Sequence, residues 1–390
     1  MTMTGNWNYP TSIRFGAGRA AETADACKEL GMTRPLVVTD PGLKDLPFVQ
    51  KLVDQLGGAG LQASLFADVE GNPTGENVDA GMEAVRAHNA DGVVALGGGS
   101  ALDAAKAIAL AVHQGRPLWD FEDVGDNHLR ADVDKMLPVV ALPTTAGTGS
   151  EVGRASVITQ VNADAPSRKV IIFHANMLPA RVIADPELTL SLPKGLTAAT
   201  GMDALSHNLE AICAPGFHPQ ADGIACEGIR LVQEHLVAVV DDGSNVDARA
   251  GMLAASLMGA TAFQKGLGAM HAMAHPFGAQ LKAHHGMINA VVMPYVLERN
   301  RAAIQPAMTT LQNALQLPGD DACDAVLTWV LELRKQLNIP HTLADLGMEE
   351  AHTAALAHGA VNDAAAGGNP IALDENGYVD LFTKARLGQL

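Results

Sequence analysis

The chain has 390 residues, of which 48% are hydrophobic, 18% charged and 4% aromatic, and its formal net charge is −17. This length suits two domains rather than one core, and the apolar content excludes intrinsic disorder. So acidic a chain gains nothing from a phosphate backbone or an anionic bilayer, which argues against nucleic-acid and membrane-surface partners.

The opening segment has neither a basic n-region nor an apolar h-region, so no signal peptide is expected. Short β-rich runs follow at residues 11–15, 36–39, 63–66, 92–96 and 138–142. Helical patterns separate them at 19–30, 45–56, 75–88 and 100–113. This alternation predicts a parallel sheet covered on both faces, a Rossmann-like α/β fold. More strand-like segments come at 155–160, 170–173 and 182–184. Beyond Pro193 the β-rich runs stop, and helical periodicity covers 196–213, 220–240, 246–264, 286–299 and 323–337. The sequence therefore predicts an α/β domain over 1–190 and an all-helical domain over 191–390. The longest uncharged run, 251–264, is shorter than the ~20 residues of a membrane span and is expected as buried helix. The four cysteines, Cys27, Cys213, Cys226 and Cys323, form no CxxC pair and are expected as buried thiols in a reducing cytoplasm.

Gly97-Gly98-Gly99-Ser100 follows an apolar strand and opens a helix. Glycines let a phosphate approach backbone N–H groups, and the helix start adds unpaired donors. Ser100 suits the N-cap. The order is not GxGxxG, so a purely structural turn fits it as well. The second loop, Pro143-Thr144-Thr145-Ala146-Gly147-Thr148-Gly149-Ser150-Glu151, is small and hydroxyl-rich, and suits the wrapping of a cofactor, the alternative being an ordinary strand–helix connection. Asp40 ends the strand at 36–39, where an acidic side chain either binds a ribose 2′-hydroxyl, favouring NAD over NADP, or caps the turn at Pro41-Gly42.

The chain carries fourteen histidines. Asp203 and His207 stand four apart in a helical segment and so share one face. His271 and His275 repeat the spacing, and His284 and His285 follow before Gly286. Carboxylate and imidazole suit a first-row divalent ion, and a shared metal would satisfy several otherwise costly buried imidazoles. Spacing leaves all six residues eligible for about four ligand positions.

Together these motifs resemble the iron-containing (group III) alcohol dehydrogenases. The segments that carry the likeness are Gly97–Ser100 with Asp103 and Lys106, residues 143–152, Ala184-Asp185-Pro186, Thr200-Gly201-Met202-Asp203 with His207, and the stretch from Gly266 through His271 and His275-Pro276 to His285-Gly286. The resemblance implies a dinucleotide-binding N-terminal domain and a metal-binding, catalytic helical domain. It points to Asp203, His207, His271 and His285 as metal ligands, and to His275 as a histidine near the nicotinamide, here the candidate for relaying the released proton or orienting cofactor and substrate, with a hydrogen-bonded core histidine as the alternative. His284 matches no usual position. For the cofactor, NAD, the resemblance points to Asp40, Asn72, Gly98, Gly99, Ser100, Thr144, Thr145, Thr148, Lys169 and Leu196. It implies Fe²⁺, with Zn²⁺ or another first-row ion able to use the same ligands, and a homodimer.

The implied reaction interconverts a small primary alcohol and its aldehyde, the cation favouring the ionised alcohol from which hydride leaves. Gly153-Arg154 departs from the family pattern. Arg154 either binds a substrate carboxylate, which suits a short hydroxy acid such as 4-hydroxybutyrate, or points to solvent. A dehydroquinate-synthase-like lyase is a distant alternative, since it needs several basic residues and only Lys265 and Lys282 lie near the metal segments. A catalytically inert scaffold would not need the full ligand set.

Overall fold

The structure, a computed structural model, describes residues 11–161 and 167–390. The opening residues, on which the signal-peptide expectation rests, lie outside these. The chain forms two compact units, one comprising Tyr9–Leu192 and the other containing Pro193–Leu390. The first is α/β and the second is helical, as the periodicities predict.

The α/β unit runs β1 (Ser12–Phe15), α1 (Thr23–Glu29), β2 (Pro35–Val38), α2 (Pro47–Gly58), β3 (Ser64–Phe66), α3 (Gly75–His88), β4 (Gly92–Gly97), α4 (Gly99–Ala111), β5 (Val139–Pro143), β6 (Ala155–Gln160), β7 (Arg168–Phe173) and β8 (Arg181–Ala184). Strands β2, β4 and β5 are buried along their whole length. That is why they read as continuous apolar runs rather than alternating ones. Val37, Val94 and Val140 from these strands share one core with Val49, Leu52 and Leu56 of α2. Local signals set the helix starts. Pro47 opens α2, and Thr74 and Asn77 form a reciprocal capping box before α3.

The six-stranded sheet has the order β1-β8-β5-β4-β2-β3, and every pairing is parallel. From β2 the chain moves outward to β3, then returns through α3 to lay β4 on the other side of β2. The strand order thus reverses between β2 and β4. In doubly wound sheets, ligands bind beyond the carboxyl ends of strands at such a reversal. Strands β6 and β7 form a separate antiparallel pair.

The helical unit contains α5 (Lys194–Cys213), α6 (Pro219–Asp241), α7 (Val246–Ala262), α8 (Ala269–Leu281), α9 (His285–Leu315), α10 (Ala322–Gln336), α11 (Thr353–Val361) and α12 (Glu375–Leu387). Helix α5 is buried on nearly every side and packs against α6, α7 and α9. Helix α9 exceeds the expected 286–299 because it runs through Pro294 and Pro306. Each proline removes one ladder hydrogen bond, but burial of Ile288, Val291, Val292 and Tyr295 holds the helix around Pro294. Among the described residues no helix is long and apolar enough to cross a membrane.

Candidate active site

In the α/β unit the predicted cofactor residues gather at the β2/β4 reversal. Asp40 follows β2 and is half-buried. Its Oδ1 accepts hydrogen bonds from Gly42 N (2.9 Å) and Leu43 N (3.1 Å). Asp40 therefore does cap the turn, while burial, working against those two bonds, raises its carboxyl pKa. The glycine loop follows β4. The expectation that Ser100 is the N-cap of α4 is corrected: the helix starts at Gly99, with extended Gly98 as N-cap. The reason is steric, since a Cβ at residue 99 would stand 2.6 Å from Thr148 Cγ2, and only glycine lets the helix start that close to the second loop. Ser100 Oγ instead accepts from Asn72 N (3.3 Å), and Thr144 N donates to Gly97 O (2.9 Å). A Cβ at Gly98 would meet Thr145 at 3.3 Å. Lys169 pairs with Thr159 across β6 and β7, and Thr159 N donates to Pro73 O (2.7 Å), beside Asn72. Leu196 belongs to the helical unit, exposed in the first turn of α5.

Beneath the loops, Lys106 is buried. Its Nζ donates to the carbonyls of Ser150 (2.9 Å) and Ala155, and lies 3.3 Å from Asp103 Oδ1. Asp103 also accepts from Ser150 Oγ and Val157 N, so one ion pair fastens the second loop to α4 and β6. Glu151 is buried nearby, and neither carboxylate oxygen has a hydrogen-bond partner among the described residues. Burial pushes this carboxyl up to about 7 against the pull of Lys106. Arg154 lies over the Phe173 ring, with Cζ 5.8 Å from its centroid, and is only partly exposed.

In the helical unit, Asp203 and His207 of α5 and His271 of α8 are buried, and a ligand atom from each lies within 4.8 Å of the other two. The imidazoles of His207 and His271 stack with centroids 4.7 Å apart. Helix α9 brings in His285, whose Nε2 is 3.6 Å from Asp203 Oδ1. The approach depends on Gly286, where a Cβ would sit 2.2 Å from Ala199 O and 2.9 Å from Asp203 Cβ. His284 is the exposed N-cap of α9. His275, one turn beyond His271, places Nδ1 2.9 Å from Asp363 Oδ2.

Three residues escape the sequence reading. Glu210 lies 2.6 Å from His271 Nδ1. Asn289 Nδ2 stands 2.9 Å from Asp203 Oδ1, 3.1 Å from His285 Nε2 and 3.3 Å from His271 Nε2. Asp363 holds His275. The first two carry a signal in spacing, since Glu210 continues the Asp203/His207 face and Asn289 lies one turn after His285. Asp363 carries none, because its position depends on a distant loop. Burial works against protonation of His271, but Glu210, with Asp203 and Asp363, outweighs it and raises the imidazole pKa.

Among the described residues no lysine or arginine pairs with Asp203 or Glu210. Two buried carboxylates that face imidazoles rather than a lysine or arginine fit a divalent cation in charge and donor type.

Comparison with known proteins accords with this chemistry. Residues 10–186 match the family model "Iron-containing alcohol dehydrogenase", and residues 197–386 match "Fe-containing alcohol dehydrogenase family, C-terminal". The chain belongs to the iron-containing alcohol dehydrogenase family. It is 40% identical to a 4-hydroxybutyrate dehydrogenase of Cupriavidus necator, over 88% of this chain and 89% of that one. It is 33% identical to an NAD-dependent methanol dehydrogenase of Bacillus methanolicus, over 94% of this chain and 95% of the relative. The crystal structure of a 1,3-propanediol oxidoreductase superposes with a TM-score of 0.91 at 33% identity, covering 97% and 99% of the two chains. The protein is thus a metal-dependent oxidoreductase of the alcohol dehydrogenase class.

Proposed function

We propose that the chain interconverts a small primary alcohol and its aldehyde, with Asp203, His207, His271 and His285 holding a divalent ion and the loops at the β2/β4 reversal holding NAD. The convergence of Asp203, His207 and His271 on one buried point carries this reading. A cation bound there supplies a Lewis-acid charge that lowers the pKa of an adjacent alcohol hydroxyl. NAD supplies the hydride acceptor. His275, its Nδ1 engaged by Asp363, is left with Nε2 to accept the proton released by the alcohol. Asp40 supports NAD over NADP, since its charge repels a 2′-phosphate. We assign the dinucleotide to Asp40, Asn72, Gly98, Gly99, Ser100, Thr144, Thr145, Thr148, Lys169 and Leu196, and take Fe²⁺ as the ion on the strength of the family. The four cysteines are unpaired, which supports a reducing cytoplasmic setting. A homodimer is the expected assembly, and light scattering checks it.

A second reading, a short ω-hydroxy acid as substrate, is favoured by Arg154. Its guanidinium rests on Phe173, and no carboxylate of the described residues pairs with it, so its planar donor fork is available to a substrate carboxylate. The relative named as a 4-hydroxybutyrate dehydrogenase points the same way. The deciding experiment is steady-state kinetics on alcohols, aldehydes and hydroxy acids with NAD and NADP after reconstitution with a defined metal. Selective loss of hydroxy-acid activity in Arg154→Ala supports the second reading. Equal loss on plain alcohols removes it.

A further inference from the structure

Glu210 uses its two carboxylate oxygens for two tasks. Oε1 accepts from the backbone N–H of Met270 at 2.6 Å, and Oε2 lies 2.6 Å from His271 Nδ1. Helix α8 has no side-chain cap of its own, its N-cap being Gly268. Acceptors from elsewhere replace it: Asn369 Oδ1 takes Ala269 N at 3.1 Å, and Glu210 takes the next N–H. A Cβ at residue 268 would stand 3.0 Å from Asn369 Oδ1 and 3.1 Å from Glu210 Oε1, so glycine makes room for both. The helix start favours negative charge at this place.

An amide NH₂ only donates hydrogen bonds, and Asn289 Nδ2 stands 3.3 Å from His271 Nε2, so Nε2 accepts and the proton between Glu210 and His271 sits on Nδ1. The lone pair of a neutral His271 is then on Nε2, the nitrogen that faces Asn289, whose Nδ2 also donates to Asp203 Oδ1. We propose that Glu210 is a positioning residue of the metal centre, fixing both the α8 entry and the tautomer in which His271 ligates through Nε2. The proposal rests on the ligand assignment above. Among the described residues Asp203 and Glu210 face imidazoles and no lysine or arginine, a donor set that suits a divalent ion.

The test is Glu210→Gln. The amide oxygen can still accept from Met270 N, but the NH₂ then faces His271 Nδ1. Two donors cannot share that bond, so the ring shifts to the Nε2–H tautomer, which has no lone pair for a metal. Zinc affinity, measured by competition with a chromophoric chelator, is expected to fall about 10- to 100-fold, with thermal stability of the metal-free protein close to the parent's. Asn369→Ala removes the other α8 acceptor without touching the imidazole. It is expected to lower metal-free stability and to leave zinc affinity near the parent's.

Unchanged zinc affinity in Glu210→Gln overturns the proposal. So does an equal loss in Asn369→Ala, which would reduce Glu210 to a helix anchor. A parent protein that binds no zinc overturns the ligand assignment itself and this inference with it. Should Glu210→Gln not fold, ¹⁵N-histidine NMR of the zinc-loaded parent decides: a slowly exchanging proton on His271 Nδ1 is expected, and ligation through Nδ1 overturns the assignment.

Discussion

The imidazole of His275 stacks on that of His285, with centroids 5.4 Å apart and 13° between the ring planes. The two rings are neighbours, yet their polar contacts differ. His285 directs Nε2 toward Asp203 and Asn289, whereas His275 is turned by Asp363. His275→Ala is therefore expected to keep the bound metal and to lower kcat by about 100-fold or more, the size of a lost general acid or base. Metal content by mass spectrometry, alongside kcat, checks this. A variant that loses its metal in proportion to its activity would make His275 a ligand.

The paired histidines give a sharper contrast. His271 is buried among Asp203, His207, Glu210 and Asn289, while His284 is exposed at the start of α9. His271→Ala is expected to abolish metal retention and turnover, and His284→Ala to leave both largely intact. Equal damage from the two would mean that the ligand set is misassigned.

These positions show what a linear reading captures. Asp203 and His207 were legible because helical spacing alone puts them on one face, and β2, β4 and β5 because strands buried on both sides are apolar throughout. Helix α8 was not, since Gly268 before it and Pro276 within it interrupt the pattern and its caps come from Glu210 and Asn369 on other segments. The N-cap of α4 was missed by two residues because Ser100 looks like a cap, whereas Gly98 holds that place and Gly99 starts the helix where a Cβ would meet Thr148. Asp363 was invisible, as nothing near it in sequence points to His275.

Asp40 joins cofactor choice to loop geometry. Oδ1 is occupied by Gly42 N and Leu43 N, so any discrimination against a 2′-phosphate works through the residue's charge and its remaining oxygen. Asp40→Asn retains an acceptor for the turn and removes the charge. The ratio of kcat/KM for NAD over NADP is expected to fall about tenfold or more, in line with the roughly 1.4 kcal/mol that a tenfold change represents. An unchanged ratio would remove Asp40 from cofactor selection.

Gly286 sets how closely α9 approaches α5. A methyl group there meets the carbonyl oxygen of Ala199 at 2.2 Å, and backbone cannot yield as a flexible side-chain end can. Gly286→Ala is expected to cost about 1–3 kcal/mol of stability, the usual range for overpacking a core. It should also weaken metal binding, because the shift moves His285 away from Asp203. Thermal unfolding of the metal-free protein and zinc competition read the two effects separately; a stable variant with parental affinity would show that the helices adjust freely.

Glu151 gives the unit that carries the glycine loop a pH-dependent stability. Its carboxyl has both oxygens buried without partners, and burial raises its pKa from 4.5 to about 7. Below pH 4.5 the folded and unfolded chains both hold this proton, and the group's contribution is fully present. As pH rises, the unfolded chain releases the proton first, while the folded chain keeps it until about 7, so stability falls across that interval and then levels. The shift corresponds to a loss of about 3 kcal/mol. Glu151→Gln cannot titrate, so the stability difference between variant and parent should move in the variant's favour between pH 4.5 and 7. Denaturant unfolding at the two ends of the interval measures it, and parallel curves for the two proteins would mean that Glu151 is ionised in the fold, with Lys106 as its counter-charge.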